Sequence, residues 1–207
     1  MSLPLVKAHR ILAIGLGIFI VSHLAIHLSA IGGADVHLGL LSKVQGVYRN
    51  WVIEPLLVMA IIVQVCIGAK LVARRWNQSE KGFWGWAQII SGAYLALFLV
   101  IHTSAALITR YIIGLDTNFY WAAGTLNINP LQYFFAPYYF TGILCVFVHL
   151  ASAIYFGWSK GGARLSLLLV IVGLVISGLI VTTFSGGFYE INLPPEVIEN
   201  FDKYLPN

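Results

Sequence analysis

The chain has 207 residues, of which 59% are hydrophobic and only 10% charged, with a mean hydropathy of +0.85. Soluble domains carry about 25% charged residues, so the composition excludes an ordinary water-soluble globule and requires a protein embedded in lipid. The net charge of +4 calls for no nucleic-acid partner, because the cations cluster where they would set membrane topology.

A membrane-crossing helix needs about 20 mainly apolar residues. Five segments meet that condition: 11–31, 52–72, 84–113, 133–158 and 165–184. The expected fold is therefore all-α, a single integral membrane bundle of five transmembrane helices with a short tail over 186–207. The first segment is too long and too rich in histidine for a cleaved signal peptide.

The first span carries Phe19-Ile-Val-Ser-His23, then His27, and ends at Gly32-Gly33. The second opens with Glu54, the one acidic residue placed in a span, and runs through Gln64, Cys66 and Gly68 without a histidine. The third carries Phe98-Leu-Val-Ile-His102, repeating the Phe-x-x-x-His spacing of the first as a weak internal repeat. The connection from Asp116 to Pro130 is rich in Asn, Gly and aromatics and is predicted to lie on the outer interface. The fourth span carries His149. In the tail, Pro194 precedes Val197, Ile198, Phe201 and Leu205 at helical spacing, which predicts a short amphipathic helix on the outer face. Tryptophans from Trp51 to Trp121, and Trp158, fall mostly at predicted helix ends, as interfacial belts do.

Eight of the 12 Lys and Arg residues fall on one side: Lys7, Arg10, Lys70, Arg74, Arg75, Lys81, Lys160 and Arg164. Lys43, Arg49, Arg110 and Lys203 fall on the other. The positive-inside rule then predicts a cytoplasmic N-terminus and an outer C-terminus.

Two cysteines, Cys66 and Cys145, cannot supply four thiolates for an iron–sulfur cluster or a structural zinc, and no phosphate-binding loop follows a strand pattern. Histidine is the remaining chemistry. Imidazole is the commonest metal ligand, and polar groups inside a membrane are costly without a partner. At a rise of 1.5 Å per residue, His23 lies about 12 Å and His102 about 16 Å below the outer ends of their helices. The two can meet across one iron, or they can serve as interhelical hydrogen-bonding groups. His149 lies about 24 Å from the outer side, in a different layer, either as a ligand or as a helix–helix hydrogen-bonding group. His27, one turn from His23 on the same face, is an alternative ligand or a contact to a haem propionate or a quinone. His9 and His37 read as solvated residues at or beyond helix ends.

The chain resembles the membrane cytochrome b subunit of succinate dehydrogenases and fumarate reductases, in its single-chain, five-helix, two-haem form. The resemblance covers about Arg10 to Trp158. It rests on Leu16 to Leu24 ending in the Gly32-Gly33 turn, on Gln88-Ile-Ile-Ser-Gly92 followed by Phe98 and His102, on Pro137 and Tyr138 to His149, and on Glu54 with Lys70, Arg74 and Arg75. It implies that His23 and His102 are axial ligands of the distal haem b and that His149 is one ligand of a proximal haem. The second-span ligand, expected between Gln64 and Gly68, is missing, and Phe147 stands where some members carry glutamate. One haem is therefore expected and a second is left open.

The resemblance further implies a flavoprotein and an iron–sulfur subunit docked on the cytoplasmic face, through basic residues such as Arg74, Arg75 and Lys81. Electrons would pass between them and a membrane quinone, in a bacterial inner membrane or, alternatively, a mitochondrial one. Glu54 is the candidate proton-handling residue, with Tyr48, Arg49 and His27 as neighbours. Its alternative is an interfacial ion pair with Arg49. The alternative for the whole chain is an anchoring or assembly protein of the same fold without haem. A transporter or channel fits poorly, since no broken helix pair or ring of charges lines a path.

Overall fold

A lone segment in lipid satisfies its own backbone hydrogen bonds only as a helix, and each of the five apolar segments forms one. The computed structural model describes residues 3–78, 82–157, 162–203 and 205; Lys81, Trp158 and Lys160, invoked above, lie outside them. The described residues contain no strand. Five helices are long and apolar enough to cross a membrane: Pro4–Gly32, Ile53–Trp76, Gly82–Ile113, Leu131–Gly157 and Gly162–Phe184. They mark the chain as an integral membrane protein.

In chain order the helices are α1 (Leu3–Ser29), α2 (Ala34–Tyr48), α3 (Ile53–Trp76), α4 (Gly82–Ile108), α5 (Phe119–Asn127), α6 (Leu131–Gly157), α7 (Gly162–Phe184) and α8 (Pro195–Asp202). The long helices form a ring in which α1 packs on α3, α3 on α4, α4 on α6, α6 on α7, and α7 back on α1. No Cα of α1 comes within 8 Å of any Cα of α4 or α6. The ring therefore has an interior that only side chains cross. α2, α5 and α8 close the end away from the N-terminus, here called the cap end.

Burial is inverted relative to a soluble protein. Ile14, Ile18, Leu56, Ile90 and Leu167 are exposed, while Ser152, Ser166, Ser177 and Thr183 are fully enclosed. Each enclosed hydroxyl donates to a backbone carbonyl; Ser166 reaches across from α7 to the carbonyl of Ala151 on α6 at 2.8 Å. Small residues let the backbones approach. Gly173 is one such position, since a Cβ there would sit 2.5 Å from Cβ of Phe147.

Two expectations are corrected. The first span starts at Pro4 rather than residue 11, which places His9 inside α1 and half-buried, not at a solvated end. The connection after Gly33 is a helix, α2, begun at a glycine with φ 114° and carrying Asp35 in its first turn, where a carboxylate suits the helix dipole. Its His37 is 1% exposed, so His37 is a core residue and not a solvated one. The segment predicted to lie on the interface contains α5, capped by the Asn118 side chain, which accepts from the backbone N–H of Tyr120 and Trp121. Phe119 there is fully buried, with Trp121 nearly so. The tail helix forms as expected, with Val197 buried.

Candidate functional site

The two Phe-x-x-x-His repeats fold identically. Residues four apart share a helix face, and each phenylalanine stacks on its histidine: Phe19 on His23 at 5.6 Å and 17°, Phe98 on His102 at 5.1 Å and 11° between ring centroids and planes. Gly142 of α6 makes room for the Phe98 ring. Both imidazoles are thereby braced from their own helices and turned into the interior of the ring.

There His23 and His102 meet, with ring centroids 6.0 Å apart, although the α1 and α4 backbones stay more than 8 Å apart. His102 makes no hydrogen bond to a described residue. His23 contacts His27 through the two Nε2 atoms at 3.2 Å, and His27 Nδ1 contacts His37 Nε2 at 3.4 Å. A file of imidazoles thus runs from His102 through His23 and His27 to His37 under the cap. Proton placement in the file has two consistent forms. In one, His23 donates to His27 and His27 to His37, leaving a lone pair on His23 Nδ1; in the other the direction reverses. Phe184 closes the file from the side, 5.2 Å from His27 and 5.5 Å from His37. Burial beneath the cap pushes the His37 imidazole down to about 4, so it is neutral at physiological pH.

A cavity of about 190 Å³ opens on the cap-end side of His102, lined by Thr109, Trp121, Thr125, Tyr139 and Phe201 among others. Residues Thr109–Ile113 extend α4 as a π-helical turn, a distortion that recurs at functional sites. One side of it, Thr109 and Ile113, faces the cavity. The other side presents Arg110 and Tyr111 to Glu54. Arg110 forms an ion pair with the Glu54 carboxylate, and the Tyr111 hydroxyl donates to it at 2.6 Å. The ion-pair partner of Glu54 is thus Arg110 rather than Arg49. Arg49 is held elsewhere, by Asp116 at 2.6 Å and by Thr117, while Tyr48 packs on Phe19.

Comparison with protein-family profiles, with curated proteins and with solved structures finds no match to this chain.

Toward the N-terminal end, His149 on α6 does not join the file. It faces His9 of α1, and Gln64 and Gly68 of α3 lie beside His9. Cys66 is exposed and Cys145 buried, each as a free thiol. Among the described residues, no group of three or more His, Cys, Asp or Glu is arranged to hold a bare metal ion. A pair of imidazoles suits instead a metal that arrives with its own in-plane ligands. The separation fits: with metal–nitrogen bonds of about 2.0 Å, two axial imidazoles place their ring centres roughly 6 Å apart. By donor type and by the 6.0 Å between their ring centroids, His23 and His102 would suit haem, and His102 has no competing hydrogen bond to a described residue.

Sequence reasoning missed His9 and His37. His37 is followed by Leu38, Leu40 and Leu41, and its spacing to buried Leu41 is the one helical signal that could have placed it inside.

Proposed function

We propose that this chain is a haem b-binding membrane subunit that passes electrons between a water-soluble redox partner and a membrane quinone. The observation that carries this reading is the His23–His102 pair: two deeply placed imidazoles from different helices, each braced by a phenylalanine and spaced for one metal between them. Haem b would supply a one-electron carrier whose potential is set by its axial ligands and surroundings. His23 and His102 would hold it. His27 would give up its contact with His23 Nε2 and turn its N–H to a propionate or a quinone oxygen.

The cavity beside His102 supports the quinone half of the reading. A pocket of about 150 Å³ accepts a benzene-sized ring, and the lining includes Thr125 and Tyr139 among aromatics. Glu54 and Tyr111, joined to that cavity through the π-helical turn, form the proton-handling pair. The partners are a flavoprotein and an iron–sulfur subunit at the N-terminal end, which is cytoplasmic by the distribution of Lys and Arg. There Arg74 and Arg75 close α3. The membrane is a bacterial inner membrane.

The test is a pyridine haemochrome assay with a reduced-minus-oxidised spectrum on the purified chain. Haem b is expected, and His102→Ala should abolish the signal of this site while the protein still folds. A wild-type chain purified without haem would leave a membrane anchoring protein as the better account. Glu54→Gln should lower quinone-dependent turnover of the assembled complex with the haem spectrum intact; unchanged turnover would remove Glu54 from the mechanism.

A further inference from the structure

The tail helix α8, outside the segment from Arg10 to Trp158 that carries the family resemblance, forms one wall of the cavity beside His102. Asn200 and Phe201 are its contribution to the lining. Residues three and four apart share a helix face, and Val197, Asn200 and Phe201 make up the inward face of α8. Val197 is 4% and Asn200 7% exposed, whereas the carboxylate residues Glu196, Glu199 and Asp202 are exposed. Gly124 of α5 is the seat for this face: a Cβ there would lie 2.5 Å from the Phe201 ring and 3.0 Å from Val197 Cγ1. By Cα distance, α8 packs on α5 and on no other helix. We propose that α8 is the recognition wall of the cavity and that Asn200 binds a carbonyl oxygen of the ring that enters it. This deepens the quinone reading above and rests on it.

Three observations support it. First, Asn200 is a buried polar residue of the lining whose side chain makes no hydrogen bond to a described residue. A buried amide left unpaired is costly, and a ligand that pairs it recovers that cost on binding. Second, two hydroxyls of the same lining are already spent. Thr125 donates to the carbonyl of Ala122 at 2.7 Å and Tyr138 to the carbonyl of Phe98 at 3.3 Å. The carboxamide of Asn200 keeps both kinds of hydrogen-bonding group. It can donate an N–H to a quinone carbonyl or, turned over, accept from the hydroxyl of the reduced ring. Third, the remainder of the lining is mostly apolar and aromatic, with Trp121, Phe135 and Phe201 among it. Ring faces of that kind suit a flat apolar ligand, and a few polar groups in an apolar pocket fix how such a ligand is oriented. The Gly124 seat holds Phe201, and so the turn of helix that carries Asn200, against α5.

The experiment is binding of duroquinone to the purified full chain, read by saturable quenching of tryptophan fluorescence and by the infrared C=O stretch of the bound ring. The wild type should bind it with the C=O band shifted by a hydrogen bond. Asn200→Leu should weaken binding by about tenfold, the upper end for a neutral hydrogen bond, and return the band toward its free position, with the haem signal intact. Asn200→Ser, too short to reach as the amide does, should do the same and keeps the result readable if the leucine variant fails to fold. Asn200→Gln, which retains the carboxamide, should restore part of the shift, and Glu199→Gln on the exposed face should match the wild type. Wild-type affinity and an unmoved band in the Asn200 variants would overturn the role of α8 and leave the proposed function intact. A haem-loaded wild-type chain that does not bind duroquinone saturably would overturn both this role and the quinone half of that function.

Discussion

His37 shows how a polar residue in a short connecting helix becomes part of the interior. It is 1% exposed, and its Nδ1 has no partner among the described residues. Burial lowers its affinity for protons from the ordinary value of 6.5 to about 4. Between those values the unfolded chain binds a proton that the folded chain does not, so stability rises with pH there and is lost as pH falls from about 6.5 to about 4. At 1.36 kcal/mol per pKa unit, the effect is roughly 3 kcal/mol at most. Thermal unfolding in detergent across that range should therefore flatten in His37→Gln relative to the wild type; an unchanged slope would place the sensitivity elsewhere. Gly92 is the steric counterpart. Gly92→Ala should cost about 1–3 kcal/mol by overpacking against His149, whereas Gly17→Ala, with nothing within 4 Å of its Cβ, should be tolerated. Comparing the two melting temperatures separates crowding of the imidazole from a general effect of adding a methyl group.

At the scale of elements, the long spans were legible because twenty-odd apolar residues in a row have few alternatives. α2 and α5 were not. Both are short helices whose buried faces press against a bundle end, and a stretch such as Asp116 to Pro130 carries too much Asn and Gly to show a period. The same blindness hid two members of the imidazole set: His9, because an interfacial helix start looks like a tail, and His37, because α2 looked like a loop. The His23–His102 pairing, by contrast, was readable from repeated spacing and matched depth alone. The π-helical turn after α4 was invisible in the sequence, yet it decides which cation meets Glu54. That ion pair is well shielded, with side-chain exposures of 13% and 12%, and breaking one half of a buried pair costs about 3–5 kcal/mol. Arg110→Gln should destabilise by that order. The double variant Glu54→Leu/Arg110→Met should recover much of the loss, because it leaves no unpaired charge. Denaturant titration of the three proteins tests it; equal destabilisation of single and double variants would mean that the pair contributes shape rather than charge balance.

At the scale of the molecule, the fold places hydroxyls, glycines and imidazoles inside and aliphatic side chains outside. Its cohesion comes from close packing and internal hydrogen bonds, since lipid is as apolar as leucine. The orientation read from Lys and Arg predicts that a cysteine placed at Lys203 reacts with a membrane-impermeant thiol reagent from outside intact cells, in a chain whose Cys66 and Cys145 are replaced by serine. A cysteine at Lys7 should react only after the cells are opened, and the reverse pattern would invert the topology.

The spacing of the two imidazole layers also has an electrical meaning. A rise of about 21 Å along α1 from His9 to His23 is some two-thirds of a hydrocarbon core of about 30 Å. Moving one elementary charge across the whole core against 100 mV takes about 2.3 kcal/mol, so a charge passing between the layers feels roughly 1.5 kcal/mol of that. Any charge moving along the bundle axis between these layers would do so electrogenically, and the membrane voltage would set how readily it ran in either direction.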